Sequence, residues 1–320
     1  MLRSVAVLIL CSVPACGDDG GGGTADAAAP DQDAEPAADS APEAPTFQIL
    51  SGEVMVPAGA EFVSCFYFRP AMEGLRIRSI RSRATGPVVD ITLFSTVQDV
   101  MPPGTQTGVN CGWLQNHGIA GKWLYSSYQA EDEYTFPADD GSGRPIGLIL
   151  SGETSAYLRI HSINLDFDAP AIAQVELELE GYPAGTDITA ADSLLAHADD
   201  IEITSGTTAT VTHTCPMPSG IQFTSLSTFS HKHSVHTFLE DTAAVVFEST
   251  QFANPGATRP DAAPFVSLAG DVLTYRCDYD NQTNLTIRDG DSPAVDENCI
   301  ALGYFFPADA PIRCVNDARL

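Results

Sequence analysis

Apolar and polar side chains alternate along Val272-Leu273-Thr274-Tyr275-Arg276-Cys277-Asp278-Tyr279. Successive side chains of a strand point to opposite faces, so this pattern is typical of a strand with one buried face. Alternating or β-branched segments recur at 47–56, 62–69, 88–97, 147–150, 157–167, 173–180, 200–204, 207–214, 220–229, 243–249, 285–288 and 301–306. Gly, Pro, Asn and Asp separate them at short intervals, which predicts an all-β chain of antiparallel β-sandwiches.

Helical patterns are few, and only Ala190–Ala198 suggests one helical turn or two. The stretch Glu180-Gly181-Tyr182-Pro183-Ala184-Gly185 is rich in turn residues and lies near the middle of the body. We therefore predict two tandem sandwich domains, residues 46–182 and residues 183–320, which fits the length of an average domain.

The chain has 320 residues with 42 acidic and 15 basic side chains, for a formal net charge of −27. Nucleic-acid and anionic-lipid binding need clustered Lys and Arg, so this balance argues against both kinds of partner. No internal apolar run is long enough for a transmembrane helix. The composition therefore favours a turn-rich globular protein with a strongly acidic surface.

The first residues are typical of an export signal. Arg3 precedes the apolar run Val5–Leu10, and Val13-Pro14-Ala15-Cys16 resembles the bacterial lipobox, in which the Cys is lipidated after cleavage. We expect a signal peptide at 1–16, with a plain secretory signal as the alternative. Cys11 is a poorer lipidation site because the bulky Leu10 precedes it.

Residues 17–45 contain no basic residue and consist mainly of Asp, Glu, Gly, Ala and Pro. Too little apolar surface is present to offset the entropy of ordering this segment, so we predict a disordered tether. Export and lipidation at Cys16 together predict a membrane-anchored lipoprotein that faces the periplasm or the cell surface, with the outer membrane as the expected site.

Six of the eight cysteines lie in the body, two in the first half and four in the second. An even number in an exported chain predicts three disulfides, for which sequence alone allows fifteen pairings. Cys65 with Cys111 is the natural pair if disulfides stay within domains. No CxxC or similar spacing occurs, which argues against a zinc-thiolate site.

The histidines include the group His231-Lys232-His233, with His236 three residues later. On a strand, residues i and i+2 share a face, so His231 and His233 could direct two imidazoles to one metal ion. Two exposed polar side chains would give the same pattern. His161 lies alone on a predicted strand of the first half, where a structural role is the more common one.

In this order and spacing the motifs of residues 46–320 resemble the copper type II, ascorbate-dependent monooxygenases, the family of the peptidylglycine α-hydroxylating and dopamine β-monooxygenases. The matching segments are Phe62-Val63-Ser64-Cys65-Phe66-Tyr67-Phe68, Gly121-Lys122-Trp123-Leu124-Tyr125-Ser126, Tyr157-Leu158-Arg159-Ile160-His161, Thr214-Cys215, His231-Lys232-His233, Gly270-Asp271-Val272-Leu273 and Asp296-Glu297-Asn298-Cys299. The resemblance implies paired jelly-roll sandwiches and the disulfides Cys65–Cys111, Cys277–Cys299 and Cys215–Cys314.

The family holds one copper on three His and a second on His-x-His plus a Met, a soft ligand that suits Cu(I). Here His161 is the one first-site ligand present, because Val89 and Asp90 stand where the family has adjacent His residues. In the second site His231 and His233 match, Asn298 replaces the Met, and His236 could complete the set. The residues that anchor the peptide substrate are replaced by Phe229 and Leu302.

Three interpretations follow from these departures, because a shared fold does not imply a shared function. The first is a catalytically degenerate binding or structural module with at most one residual copper. The second is an active oxidoreductase that uses copper, dioxygen and ascorbate on a small organic or peptide substrate. The third is a copper-handling protein of the periplasm. No Gly-x-Ser-x-Gly, His-Glu-x-x-His or Walker motif suggests other chemistry.

Overall fold

The computed structural model describes residues 43–69, 75–97, 99–108, 111, 122–150 and 155–320. The described residues contain strands and turns but no helix, as the alternating patterns predict, and so none that could cross a membrane. The predicted signal peptide, Cys16 and residues 17–42 of the predicted tether lie outside the described residues.

Twenty-three strands occur in the described part of the chain. They are β1 (Thr46–Leu50), β2 (Val54–Val56), β3 (Glu61–Phe68), β4 (Arg76–Thr85), β5 (Val88–Thr96), β6 (Gln106–Thr107), β7 (Lys122–Ser127), β8 (Glu131–Thr135), β9 (Ile146–Ile149), β10 (Ser155–Ile163), β11 (Ala171–Gly181), β12 (Thr189–His197), β13 (Glu202–Ile203), β14 (Thr208–Pro216), β15 (Gln222–Phe229), β16 (Ser234–Glu240), β17 (Val245–Ser249), β18 (Val266–Ser267), β19 (Val272–Asp280), β20 (Ile287–Arg288), β21 (Ile300–Phe306), β22 (Ile312–Val315) and β23 (Ala318–Arg319).

In the first half, residues 46–182, the strand order β1-β11-β4-β9 forms one sheet and β6-β3-β10-β5-β7 forms another. Alternation decides which face of β11 is buried. Ala173, Val175, Leu177 and Leu179 are buried, while the polar residues between them are partly exposed. The apolar faces provide the core of an antiparallel sandwich.

In the second half, residues 183–320, the order β12-β21-β15-β18 forms one sheet and β14-β19-β16-β17 the other. On β19, Leu273, Tyr275, Cys277 and Tyr279 are buried, so the alternation that predicted this strand also predicts its inner face. Both halves are built of antiparallel jelly-roll-like sandwiches, and the predicted fold class is confirmed.

The two halves share one continuous sheet, because β9 pairs with β12 in parallel through Thr189 and Ile146, Ala190 and Gly147, and Ala191 and Leu148. The larger hydrophobic core also contains residues of both halves. Ala44–Leu320 form one compact unit. The predicted boundary at 182/183 falls between β11 and β12.

Two local predictions are wrong. The segment Ala190–Ala198, for which we predicted helical turns, belongs mostly to β12, because its pairing with β21 and β22 outweighs the helix propensity of its alanines. His231, Lys232 and His233 lie in a turn between β15 and β16, not on a strand. The backbone N–H of Ser234 donates to the carbonyl oxygen of His231 at 3.2 Å and closes this turn.

Three disulfides join Cys65 to Cys111, Cys215 to Cys314 and Cys277 to Cys299. The pair Cys65–Cys111 is also the natural one within a domain, and the other two pairs match those that the resemblance implies. Each lies within one half of the body, and all six sulfurs belong to buried residues.

Candidate functional site

Four charged side chains of the first half lie together on one face of the sheet β6-β3-β10-β5-β7. Strand β10 contributes Arg159 and His161, which share a face because they are two residues apart. Asp90 on β5 is paired in register with His161. Glu61 begins β3, the other neighbour of β10. We call Glu61, Asp90, Arg159 and His161 the charge cluster.

The members of the charge cluster bind one another. Arg159 Nη1 lies 2.9 Å from Asp90 Oδ1, and His161 Nδ1 lies 2.7 Å from Asp90 Oδ2. The other ring nitrogen of His161, Nε2, lies 3.0 Å from Glu61 Oε1. Arg159, His161 and Asp90 are each 3% exposed or less. A buried charge needs such partners, because an unpaired one is strongly destabilising.

The second half covers the charge cluster through the loop 289–297. Ser292 donates its hydroxyl to Glu61 Oε2 at 2.9 Å, and Asp291 Oδ1 lies 3.9 Å from Arg159 Nη2. A buried ion pair also joins the halves, with Lys122 Nζ of β7 3.0 Å from Asp192 Oδ1 of β12. The charge cluster is therefore buried by the junction of the two halves.

The protonation states of the charge cluster follow from its contacts. Burial opposes the charge of His161, but its hydrogen bonds to Asp90 and Glu61 outweigh that and raise its pKa. Burial likewise opposes the charge of Asp90, yet Arg159 and His161 hold its pKa below the usual value. Both ring nitrogens of His161 lie within hydrogen-bond distance of a carboxylate oxygen, an arrangement that favours the doubly protonated imidazolium. An imidazolium donates from both nitrogens and offers no lone pair to a metal ion.

The turn at His231 is fixed by a buried carboxylate of the second half. Glu297 Oε2 accepts the backbone N–H of His231 at 2.9 Å, and Oε1 accepts that of His233 at 2.6 Å. Burial raises the pKa of Glu297 to about 7, against the backbone donors, which favour its charged form. The turn is thereby held to the loop 289–297, the same loop that covers the charge cluster.

Asn298 and His231 form a closed hydrogen-bond arrangement. His231 Nδ1 donates to the carbonyl oxygen of Asp296 at 3.0 Å, which leaves Nε2 as the acceptor. Asn298 Nδ2 donates to that Nε2 and to the carbonyl oxygen of Gly290, both at 3.0 Å. Burial lowers the pKa of His231 to about 4, so the ring is neutral at pH 7. The lone pair that would bind a metal is already used by Asn298.

The remaining predicted ligands, His233 and His236, have different surroundings. His233 is buried, and its Nε2 has no hydrogen-bond partner among the described residues. His236 on β16 is partly exposed, packs against Phe238 with ring centroids 3.7 Å apart, and pairs with Glu248 of β17. Within the described ranges no three His, Cys, Asp or Glu side chains are grouped as metal ligands. The donor sets therefore do not fit copper as they are arranged here, and copper binding at these residues stays a prediction.

The sequence does not identify the acidic partners of Arg159 and His161. In the sequence Asp90 stands out only as a replacement for a His of the resembled family, and no motif indicates Glu61 or Ser292. The available signal was the pair of charged residues Arg159 and His161, two apart on a strand that is otherwise apolar. Such a pair requires buried acidic partners, although sequence alone does not say which ones.

Comparison with known proteins finds no family model and no curated protein that matches the chain. Among solved structures it is similar to the major capsid protein P2 of bacteriophage PM2, with 9% identity, a TM-score of 0.34, and coverage of 81% of this chain and 97% of that one. It is also similar to the STIV major capsid protein, with 9% identity, a TM-score of 0.30, and coverage of 82% and 96%. Likeness at this level gives no functional assignment.

The expected resemblance to the copper type II monooxygenases is wrong. The matching structures include viral major capsid proteins with jelly-roll folds, and no family model or curated protein supports a monooxygenase. The motifs quoted for the resemblance are short segments around Cys, His and aromatic residues. Disulfides and buried aromatic side chains stabilise β-sandwiches in general, so such segments do not by themselves indicate a shared family.

Proposed function

We propose that this chain is an exported, lipid-tethered β-sandwich protein that acts as a non-catalytic binding or structural module. The observation that carries the proposal is the arrangement of the predicted ligand positions. His161 is fixed by Asp90 and Glu61, and His231 is fixed by Asp296 and Asn298. Both ring nitrogens of each imidazole therefore form hydrogen bonds to other groups of the same chain.

The same contacts support a rigid body. The loop 289–297 binds the charge cluster through Ser292 and the His231 turn through Glu297, and Asn298, which follows the loop, also binds His231. The hydrogen bond from Ser292 to Glu61 joins the two halves at this loop. Domains joined only by a small polar interface usually move relative to each other. Here the halves also share the β9–β12 pairing and the larger hydrophobic core, and such a rigid junction suits a module that presents a constant surface.

Copper retention tests the proposal. The full chain, purified in a zwitterionic detergent, is reconstituted with copper, dialysed and analysed for metal beside the variant His231→Ala/His233→Ala. The expected result is no copper above that of the variant. One or more coppers retained by the wild type and lost in the variant would overturn the proposal and make the chain a copper protein.

A further inference from the structure

The two most exposed large apolar side chains of the described residues lie in one loop. Leu165 is 79% exposed and Phe167 is 80% exposed, and both belong to the loop 164–170 between β10 and β11. Apolar side chains scattered singly over a surface are ordinary, whereas several exposed together at one place mark an interaction surface. This loop therefore indicates a surface that is covered by something other than the chain's own core.

The loop is held in one conformation by hydrogen bonds at its base. Asn164 is buried, and its Nδ2 donates to the carbonyl oxygen of Pro57 at 3.2 Å. The backbone N–H of Gly59 donates to the carbonyl oxygen of Asp166 at 2.8 Å. These contacts join the loop to the turn between β2 and β3. The exposed apolar side chains are therefore presented from a fixed backbone.

Further apolar side chains adjoin the loop. The ring of Phe167 packs with one side on Gly59, since a Cβ added to Gly59 would lie 2.5 Å from Phe167 Cδ1. Met55 of β2 and Ile172 of β11 are paired in register and are 67% and 50% exposed. We call Met55, Leu165, Phe167 and Ile172 the apolar patch.

The charges around the apolar patch limit the kind of surface that covers it. Residues 51–60 and 164–172, which form the patch and its surroundings, contain no Lys or Arg, and Asp168 is exposed. An anionic lipid surface attracts clustered basic residues, which are absent from these two segments. A second copy is disfavoured by charge repulsion, because residues 46–320 contain 34 acidic and only 14 basic side chains. A zwitterionic lipid surface suits the patch best.

The proposed lipid anchor places such a surface near the body. Residues 17–45 are 29 in number, and a flexible chain of that length has a root-mean-square span of about 30 Å. A body tethered at this distance meets the bilayer at a high effective concentration, so a weak contact is sufficient for docking. A flexible tether does not itself decide which face of the body turns toward the lipid, but an exposed apolar patch does.

We infer that the apolar patch docks on the zwitterionic bilayer that holds the lipid anchor, an inference that rests on the proposed function as a lipid-tethered module. Leu165 and Phe167 insert among the lipid headgroups, and Met55 and Ile172 lie against the same surface. Because the Asn164 contact already fixes the loop, docking costs little conformational entropy. Docking gives the body one orientation and turns a constant surface away from the membrane.

Quenching of tryptophan by brominated lipid tests this inference. The full chain with Phe167→Trp is reconstituted through its anchor into phosphatidylcholine vesicles, with and without bromine on the acyl chains. After subtraction of the wild-type emission, the introduced tryptophan is expected to lose about half of its fluorescence or more in brominated vesicles, because it lies at the headgroup–acyl boundary. Adding Met55→Asp and Leu165→Asp to this variant is expected to abolish the loss, since charged side chains are disfavoured in lipid.

The matched control is the full chain with Val245→Trp. Val245 is also exposed, at 47%, but it lies on β17 at the edge of a sheet of the second half, so bromine is expected to leave its emission unchanged. The inference is overturned if the Phe167→Trp variant is not quenched, if the control is quenched equally, or if quenching persists with both aspartates present. An emission shift that grows with the number of chains per vesicle without bromine quenching would assign the patch to a second copy instead.

Flotation of the same vesicles separates this inference from the proposed function. A chain that floats with the vesicles but is not quenched keeps its anchor and lacks the docking. A chain that does not float has no anchor, which overturns the lipid tether and the docking with it. Copper retention is measured separately and bears only on the non-catalytic part of the proposed function.

Discussion

Asp90 is buried and contacts two basic side chains. Arg159 and His161 each lie within hydrogen-bond distance of it, and all three side chains are buried. The sequence indicates that Arg159 and His161 share a face of one strand. It does not indicate that Asp90 meets them, because 69 and 71 residues separate it from Arg159 and His161. Strand pairing over such distances is decided by the whole sandwich.

The variant Asp90→Asn keeps the shape of the side chain and removes its charge. We expect the free energy of unfolding to fall by about 3–5 kcal/mol, since the Arg159 charge stays buried without its main partner. Chemical denaturation measures this difference. The control Glu133→Gln, in an exposed pair with Arg81, is expected to leave stability unchanged within error. An equal loss in both variants would contradict the role of the charge cluster.

His161 predicts a dependence of stability on pH. Its folded pKa is raised above the ordinary value of 6.5, so its contribution is fully present below about pH 6.5 and is lost as pH rises through the folded pKa. The stability difference between the wild type and His161→Gln should therefore shrink as pH rises. Urea unfolding of both proteins at several pH values measures it. A difference that stays constant or grows as pH rises would contradict the raised pKa of His161.

At the scale of elements, alternating apolar and polar residues predict a strand and its buried face, whereas a short polar segment does not predict its secondary structure. The pattern of β19 predicts both the strand and its buried face, because the face is chosen by burial of every second residue. The pair His231 and His233 shows the limit. A pair of polar residues is compatible with a strand or with a turn. Here the backbone N–H groups of both histidines donate to the carboxylate of Glu297, and this favours the turn.

The disulfides give a prediction at this scale, because they close loops of different length. Cys215–Cys314 spans 99 residues and Cys277–Cys299 spans 22. In the chain-entropy description the longer loop stabilises by roughly 1 kcal/mol more. We expect Cys215→Ala/Cys314→Ala to lose more unfolding free energy than Cys277→Ala/Cys299→Ala. The four residues are equally buried, so the two double variants control for each other. The reverse order would contradict this expectation.

At the scale of the whole molecule, the excess of acidic over basic side chains is the main feature of the composition. Residues 46–320 keep 34 acidic and 14 basic side chains, so the acidity belongs to the body as well as to the tether. Fold class follows from the sequence because many strands repeat one pattern. The joining of the two halves by the Ser292–Glu61 hydrogen bond and by the β9–β12 pairing does not follow from the sequence, because each contact depends on the relative placement of separate strands.

Membrane attachment is predicted to depend on Cys16. In a bacterial host, Cys16→Ser should move the full chain from the membrane fraction to the soluble fraction and abolish labelling by radioactive palmitate. Cys11→Ser is the matched control and should change neither, since the bulky Leu10 precedes Cys11. Release by the Cys11 variant, or retention of the Cys16 variant with its lipid label, would refute the assignment of the anchor.

The most direct test of the central claim is calorimetric unfolding of the full chain with and without excess copper. The larger core contains residues of both halves, and both ring nitrogens of His161 and of His231 bind protein groups, so we predict one cooperative transition at the same temperature in both conditions. A metal site would raise the transition temperature, because a ligand that binds the folded state stabilises it. A rise with copper in the wild type that is absent in His231→Ala/His233→Ala would contradict the account.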